Sequence, residues 1–85
     1  MEIKVLGPGC PNCAEVEKRV KNALAELGIA ADVEKITDIR KMMSYGILAT
    51  PGLVIDGRVK SSGRVPRIED IKLWIRDAAG GRHSP

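Results

Sequence analysis

The segment Gly7-Pro8-Gly9-Cys10-Pro11-Asn12-Cys13 constrains this chain more than any other. Proline fixes φ and glycine frees it, so regular structure has to break and restart here. On its N-terminal side Ile3 and Val5 alternate with Lys4, the pattern of a short strand that feeds the break directly. On its C-terminal side Cys13, Val16, Val20, Ala23, Leu24 and Leu27 recur at helical spacing, with Glu15, Glu17, Lys18, Arg19 and Lys21 on the opposite face. Pro11 suits a first helical turn, where its missing N–H costs nothing, and Gly28 suits the C-terminal cap. Both cysteines of the chain therefore lie where a strand enters a helix.

The remaining periodicity completes the order of elements. Ile29, Ala31 and Val33 fall at every second position and predict a second strand, parallel to the first if the helix is a crossover. Asp38 stands where an N-cap would, ahead of Ile39, Met42 and Met43, and Gly46 closes a short second helix. Residues 53–55 form an apolar strand, Asp56-Gly57 a two-residue hairpin turn, and Val59 lies on the return strand. Ile68, Ile71, Trp74, Ile75 and Ala78 make a last helical stripe that starts near Pro66 and ends at Gly80-Gly81. Met42 and Met43 are expected in the core, and Trp74 is expected to pack beneath the last helix.

A chain of 85 residues makes one small domain, assigned to residues 1–79, with residues 80–85 as a flexible tail that includes His83. With no Phe, one Tyr and one Trp, its core must rest on aliphatic side chains. The 14 basic residues are interleaved with 11 acidic ones, which describes solvated helix faces rather than a nucleic-acid footprint, and no aromatic platform for bases accompanies them. The N-terminus has no apolar run of signal length, and no stretch approaches the roughly 20 apolar residues of a membrane span. A soluble cytoplasmic protein is expected, without membrane contact and monomeric. Thiols are kept reduced in that compartment, which favours catalysis or metal binding for a cysteine pair. A four-residue disulfide ring would in any case contribute only about 2 kcal/mol.

The order β-α-β-α-β-β-α, with Cys10-Pro11-Asn12-Cys13 at the first strand-to-helix junction, Thr50-Pro51 before the third strand and the Asp56-Gly57 hairpin, resembles the thioredoxin fold in minimal form. It is most similar to the small thioredoxin- or glutaredoxin-like redox-active disulfide proteins of archaea and bacteria. The resemblance spans residues 2–79 and implies an α/β fold with a central four-stranded mixed sheet flanked by helices. It also implies that Pro51 is cis and lies against the cysteines, and that the backbone of Thr50 pairs with an extended substrate.

The residues themselves assign the two sulfurs. Cys10 precedes Pro11 and so stands at or beside the N-cap of the first helix, where free N–H groups and the helix dipole favour an anion. A thiolate there has its pKa lowered from about 8.5, to between about 3.5 and 7.5 in known cases, which makes Cys10 the expected nucleophile. Cys13, one turn further on and on the apolar stripe, is expected to be sheltered and less ionised, as suits a resolving thiol. Pro11 and Asn12 start the helix and, lying between the cysteines, are expected to tune the redox potential.

The leading expectation is thus a thiol–disulfide oxidoreductase without cofactor or resident metal. It would act on disulfides in proteins or small molecules and be reset by a separate thiol or flavoprotein reductant. The alternative is a soft-metal carrier, of copper or a similar ion, holding its cargo between the two thiolates. That architecture should end in a strand, whereas this chain ends in a helix, and closed tetrahedral zinc needs four ligands. A non-catalytic interaction module is the third reading. Departures from the larger families limit what carries over. Gly9 stands where thioredoxins commonly have Trp, and Ser61-Ser62-Gly63 only partly echoes a glutathione-binding segment.

Overall fold

The computed structural model describes residues 1–47 and 49–81. Residues 82–85, with His83 and most of the expected tail, lie outside the described residues. The elements are β1 (Glu2–Leu6), α1 (Pro11–Leu27), β2 (Asp32–Ile36), α2 (Ile39–Ser44), β3 (Gly52–Ile55), β4 (Arg58–Ser62) and α3 (Ile68–Arg76), which runs into a wide last turn over Asp77–Gly81. This is the predicted order. The sheet runs β2-β1-β3-β4. β1 and β2 are parallel, joined by the α1 crossover, while β1–β3 and β3–β4 are antiparallel.

The alternation of side chains along β1 and β3 sorts the core into two layers. Ile3, Val5, Leu53 and Ile55 turn to one face and pack with Val16, Val20 and Ala23 of α1 and Ile71 and Ile75 of α3. Leu6 and Val54 turn to the other face and pack with Ile36, Met42 and Ile47. The first layer carries two long helices, tied at their surfaces by the ion pair between Lys72 and Glu26 and by the Arg19 guanidinium, which donates to the Pro66 carbonyl at 2.9 Å. Among the described residues, the second layer is covered by the short α2 and its flanking segments.

Two expectations are corrected. The second strand lies at Asp32–Ile36 rather than along the alternation of Ile29, Ala31 and Val33. The reason is the end of α1, where Gly28 adopts φ 68° and its N–H donates to Ala25 O while the Ile29 N–H donates to Leu24 O. These are the paired bonds of a Schellman cap, and they turn Ile29 back onto the core as the apolar partner of the cap before the strand begins. Met43 is the second correction. Met42 is buried, but Met43 is 61% exposed and Ile39 68% exposed, because a helix of six residues has only one apolar edge against the sheet. Trp74 packs partly buried against the first layer, as expected.

The hairpin follows its turn chemistry. Asp56 and Gly57 both have positive φ, 49° and 83°, which is the requirement of a two-residue turn between strands of this twist. β4 also carries an extra residue opposite the Leu53/Val54 step, so the strand pairs Ile55 with Arg58 at one end and Gly52 with Ser62 at the other.

Candidate active site

The parallel pairing of β1 and β2 brings their C-terminal ends together, and the antiparallel pairing of β3 brings its N-terminal end beside them. Gly7, just past β1, donates its N–H to Ile36 O at 2.9 Å, while Leu6 pairs with Gly52. The cysteine loop, the chain entering α2 and the Thr50-Pro51 segment therefore meet at one edge of the molecule. A site built there sits on rigid strand ends, the usual place for chemistry in an open α/β sheet.

Cys10 is the N-cap of α1, with φ −71° and ψ 164°, and Pro11 occupies the first turn as predicted. The Cys10 Sγ accepts the Cys13 N–H at 3.4 Å, and the Cys10 carbonyl accepts the Ala14 N–H at 3.1 Å. The sulfur thus takes the place usually held by a serine or aspartate oxygen, against amides that have no partner within the helix. Both thiols are free, with Cys10 half-buried and Cys13 4% exposed.

Their electrostatics diverge. Hydrogen bonding from the Cys13 thiol, followed by the Cys13 backbone N–H, lowers the Cys10 pKa below the ordinary thiol value. Burial is the main influence that raises the Cys13 pKa, and its bond to Cys10 adds to it. One sulfur is thus stabilised as the anion and its neighbour as the neutral thiol that donates to it. That combination can attack a disulfide at one sulfur and hold the second in reserve.

The Thr50-Pro51 bond is cis, with Pro51 buried and Thr50 exposed. Thr50 lies in the same neighbourhood as the cysteines, since a β-carbon built on Gly7 would be 3.8 Å from Thr50 Cβ and against the Cys13 sulfur. Pro11 and Asn12 are both exposed on the first turn of α1. All six residues singled out in the sequence thus belong to two segments that converge on this edge.

Sequence reading missed what holds the second segment in place. Ser62 Oγ donates to Ala49 O at 3.2 Å and the Gly63 N–H donates to Pro51 O at 2.9 Å. The Ser61-Ser62-Gly63 stretch therefore fastens the proline loop to the end of β4, and Ser61 turns inward instead, its Oγ buried without a partner among the described residues. Gly7 was the other omission. A glycine at the end of a strand signals close approach by another group, and here that group is the Cys13 side chain.

Comparison with known proteins agrees with this arrangement. The profile of the thioredoxin domain matches residues 1–76. A thioredoxin of Methanothermobacter thermautotrophicus is 44% identical over 72 residues, which cover 85% of this chain and 94% of the relative. A thioredoxin of Methanocaldococcus jannaschii is 34% identical over 80 residues, covering 94% of this chain and 92% of the relative. The soft-metal carrier finds no support in these relatives or in a fold whose last element, among the described residues, is helical. Among the described residues no three His, Cys, Asp or Glu side chains cluster as metal ligands would, and no helix is long and apolar enough to cross a membrane.

Proposed function

The chain belongs to the thioredoxin domain family and is a thiol–disulfide oxidoreductase, and from that premise we propose that Cys10 is its nucleophile and Cys13 its resolving thiol. The observation that carries this assignment is the unequal pair itself: a half-buried sulfur that accepts an N–H at the N-cap of α1, beside a buried sulfur whose pKa that burial raises.

The exchange then runs in two steps. The Cys10 thiolate attacks one sulfur of a substrate disulfide. A Cys10–substrate disulfide forms, the substrate S–S bond breaks, and the departing sulfur leaves with the electron pair and takes up a proton. Cys13 next loses its proton and attacks Cys10 Sγ, which forms the Cys10–Cys13 disulfide and releases the second substrate sulfur as a thiolate. The substrate has gained two electrons and the protein has lost two, so a separate reductant, a dithiol or a flavoprotein, must restore the pair.

The surrounding residues have roles in keeping with their places. Thr50, exposed beside the cysteines, offers its backbone to an extended disulfide-bearing segment, while Pro51 walls the same site. Pro11 and Asn12 set the potential through the geometry of the first helical turn. We assign this activity to residues 1–79 as a unit, acting as a cytoplasmic monomer on protein or small-molecule disulfides.

The test is a division of labour. Alkylation near neutral pH should label Cys10 well before Cys13, since reaction follows ionisation and access together. Cys13→Ser should accumulate a covalent mixed disulfide with a substrate such as insulin. Preferential labelling of Cys13, or a Cys13→Ser protein that traps nothing, would reverse the assignment.

A further inference from the structure

Gly7 is buried between the end of β1 and the cysteine loop, and its conformation does not call for glycine. Unlike Gly9, which has φ 95°, it lies outside the positive-φ region, so any L-residue could adopt its backbone. What excludes a side chain is space. A β-carbon placed on Gly7 would lie 2.1 Å from Cys13 Sγ and 3.2 Å from Cys13 Cβ, the first an impossible approach and the second a tight one. Neither backbone is free to yield. The Gly7 N–H is bonded to Ile36 O at 2.9 Å, and Cys13 stands in the first turn of a 17-residue helix whose next apolar residues are fully packed.

We infer that Gly7 is the positioning residue of the resolving thiol: the bare α-carbon of Gly7 is the seat of Cys13 Sγ, and that seat decides which sulfur begins the exchange. With its sulfur set back against the strand end, Cys13 is closed to disulfides arriving from solvent. It remains one helical turn from Cys10, where the only disulfide within its reach is one already formed on Cys10. The role rests on the assignment of Cys10 as nucleophile. The chemistry of the second step is unchanged by it. Cys13 forms the bond to Cys10 Sγ, the Cys10–substrate bond breaks, and the electron pair leaves with the substrate sulfur. Gly7 contributes the starting position from which that attack is made.

The experiment is a cycle of Gly7→Ala and Cys13→Ala, read for stability and for thiol chemistry. With Cys13 present, Gly7→Ala should lower the melting temperature by roughly 4 °C or more, as overpacking in a domain of this size does. In the Cys13→Ala background the sulfur is gone and the residual contact needs a shift of only a few tenths of an ångström, so the same substitution should cost less than about 2 °C. In the chemical arm, Gly7→Ala should raise the alkylation rate of Cys13 by about tenfold or more, because its sulfur is driven out of shelter. It should also lengthen the life of a Cys10–substrate mixed disulfide by about ten- to a hundredfold, because the attacking sulfur is misplaced. A general loosening of the loop would also expose Cys13, but it would cost the same stability with or without the Cys13 sulfur, so the two backgrounds tell it from a lost seat. If Gly7→Ala does not fold, a folded Gly7→Ala/Cys13→Ala protein still upholds the seat, and a double variant that also fails to fold overturns it. Equal losses of stability in both backgrounds overturn it too, as does a folded Gly7→Ala protein with wild-type labelling and wild-type resolution. Failure of the nucleophile assignment would be read on the wild-type protein alone, as labelling of Cys13 ahead of Cys10, and it would remove the role given to the seat.

Discussion

Two helices begin at the same edge of the sheet, each directly after one of the parallel strands, and they begin differently. α2 is capped by Asp38, whose carboxylate accepts the Arg40 N–H at 2.8 Å. α1 is capped by the Cys10 sulfur, which accepts the Cys13 N–H at 3.4 Å. Carboxylate oxygens are strong caps, and a thiol is a weak acceptor that becomes a strong one only when it ionises. The shorter helix, with a single buried side chain, has the better cap. The longer one, held by five buried residues, can leave its amides to a thiol sulfur. The difference teaches that a helix secured by packing can give its N-terminus to chemistry, whereas a helix of six residues needs the cap for its own stability.

The sharpest way to break the comparison is Cys10→Ser. Serine is a good cap, so the helix should keep its stability to within about 1 kcal/mol in urea unfolding. Disulfide reduction should fall to below about one-thousandth, since an alcohol does not ionise near neutral pH and replaces the thiolate nucleophile outright. Retained turnover would remove Cys10 from the chemistry.

Next in size is the packing beneath α2. Met42→Ala should cost about 2 kcal/mol or more, because Met42 is the one buried residue of that helix. Met43→Ala, one residue away, should change stability by less than about 0.5 kcal/mol. Equal costs would mean that α2 sits on the sheet by a different edge. Asp38→Ala should cost about 1 kcal/mol and leave the exchange rate unaltered, since this cap serves the helix alone. A slowed exchange would show that the start of α2 also shapes the site.

The smallest effect is in pH. In the folded, reduced chain the Cys10 pKa lies below its unfolded value and the Cys13 pKa lies above. Between the folded Cys10 pKa and about 8.5 the unfolded state holds more protons at this position, so its contribution to stability grows as pH rises and is lost as pH falls through the folded value. Cys13 acts in the opposite sense, and its contribution is lost as pH rises beyond about 8.5 toward its raised folded value. Urea midpoints of the reduced protein, compared with those of Cys10→Ser across this range, should show a rise with pH that the variant lacks. Parallel curves would mean that the α1 amides do not favour the thiolate.

Much of this was legible from the residues in order. Stripes of period 3.6, the Asp56-Gly57 turn, Pro11 and Gly28 at the two ends of α1 and Asp38 ahead of α2 are local signals, read within a few positions of where they act. The Cys10–Cys13 pair was legible for the same reason, because an N-cap and a residue one turn later are neighbours in sequence as well as in space. The sequence alone therefore determined the order of elements and the place of both cysteines where the first strand gives way to the first helix.

Tertiary structure decided what depends on residues distant in the chain. Gly7 owes its significance to a sulfur on the next helix and to Ile36 on the neighbouring strand. The proline loop is held by Ser62 and Gly63, from a strand that pairs beyond it. Met42 and Met43 are chemically alike and adjacent, and only the contact of α2 with the sheet sends one inside and the other out. Steric exclusion and hydrogen bonding act over a few ångströms whatever the separation along the chain. Until strands set the register, no pattern in the sequence says which distant residues those ångströms will join.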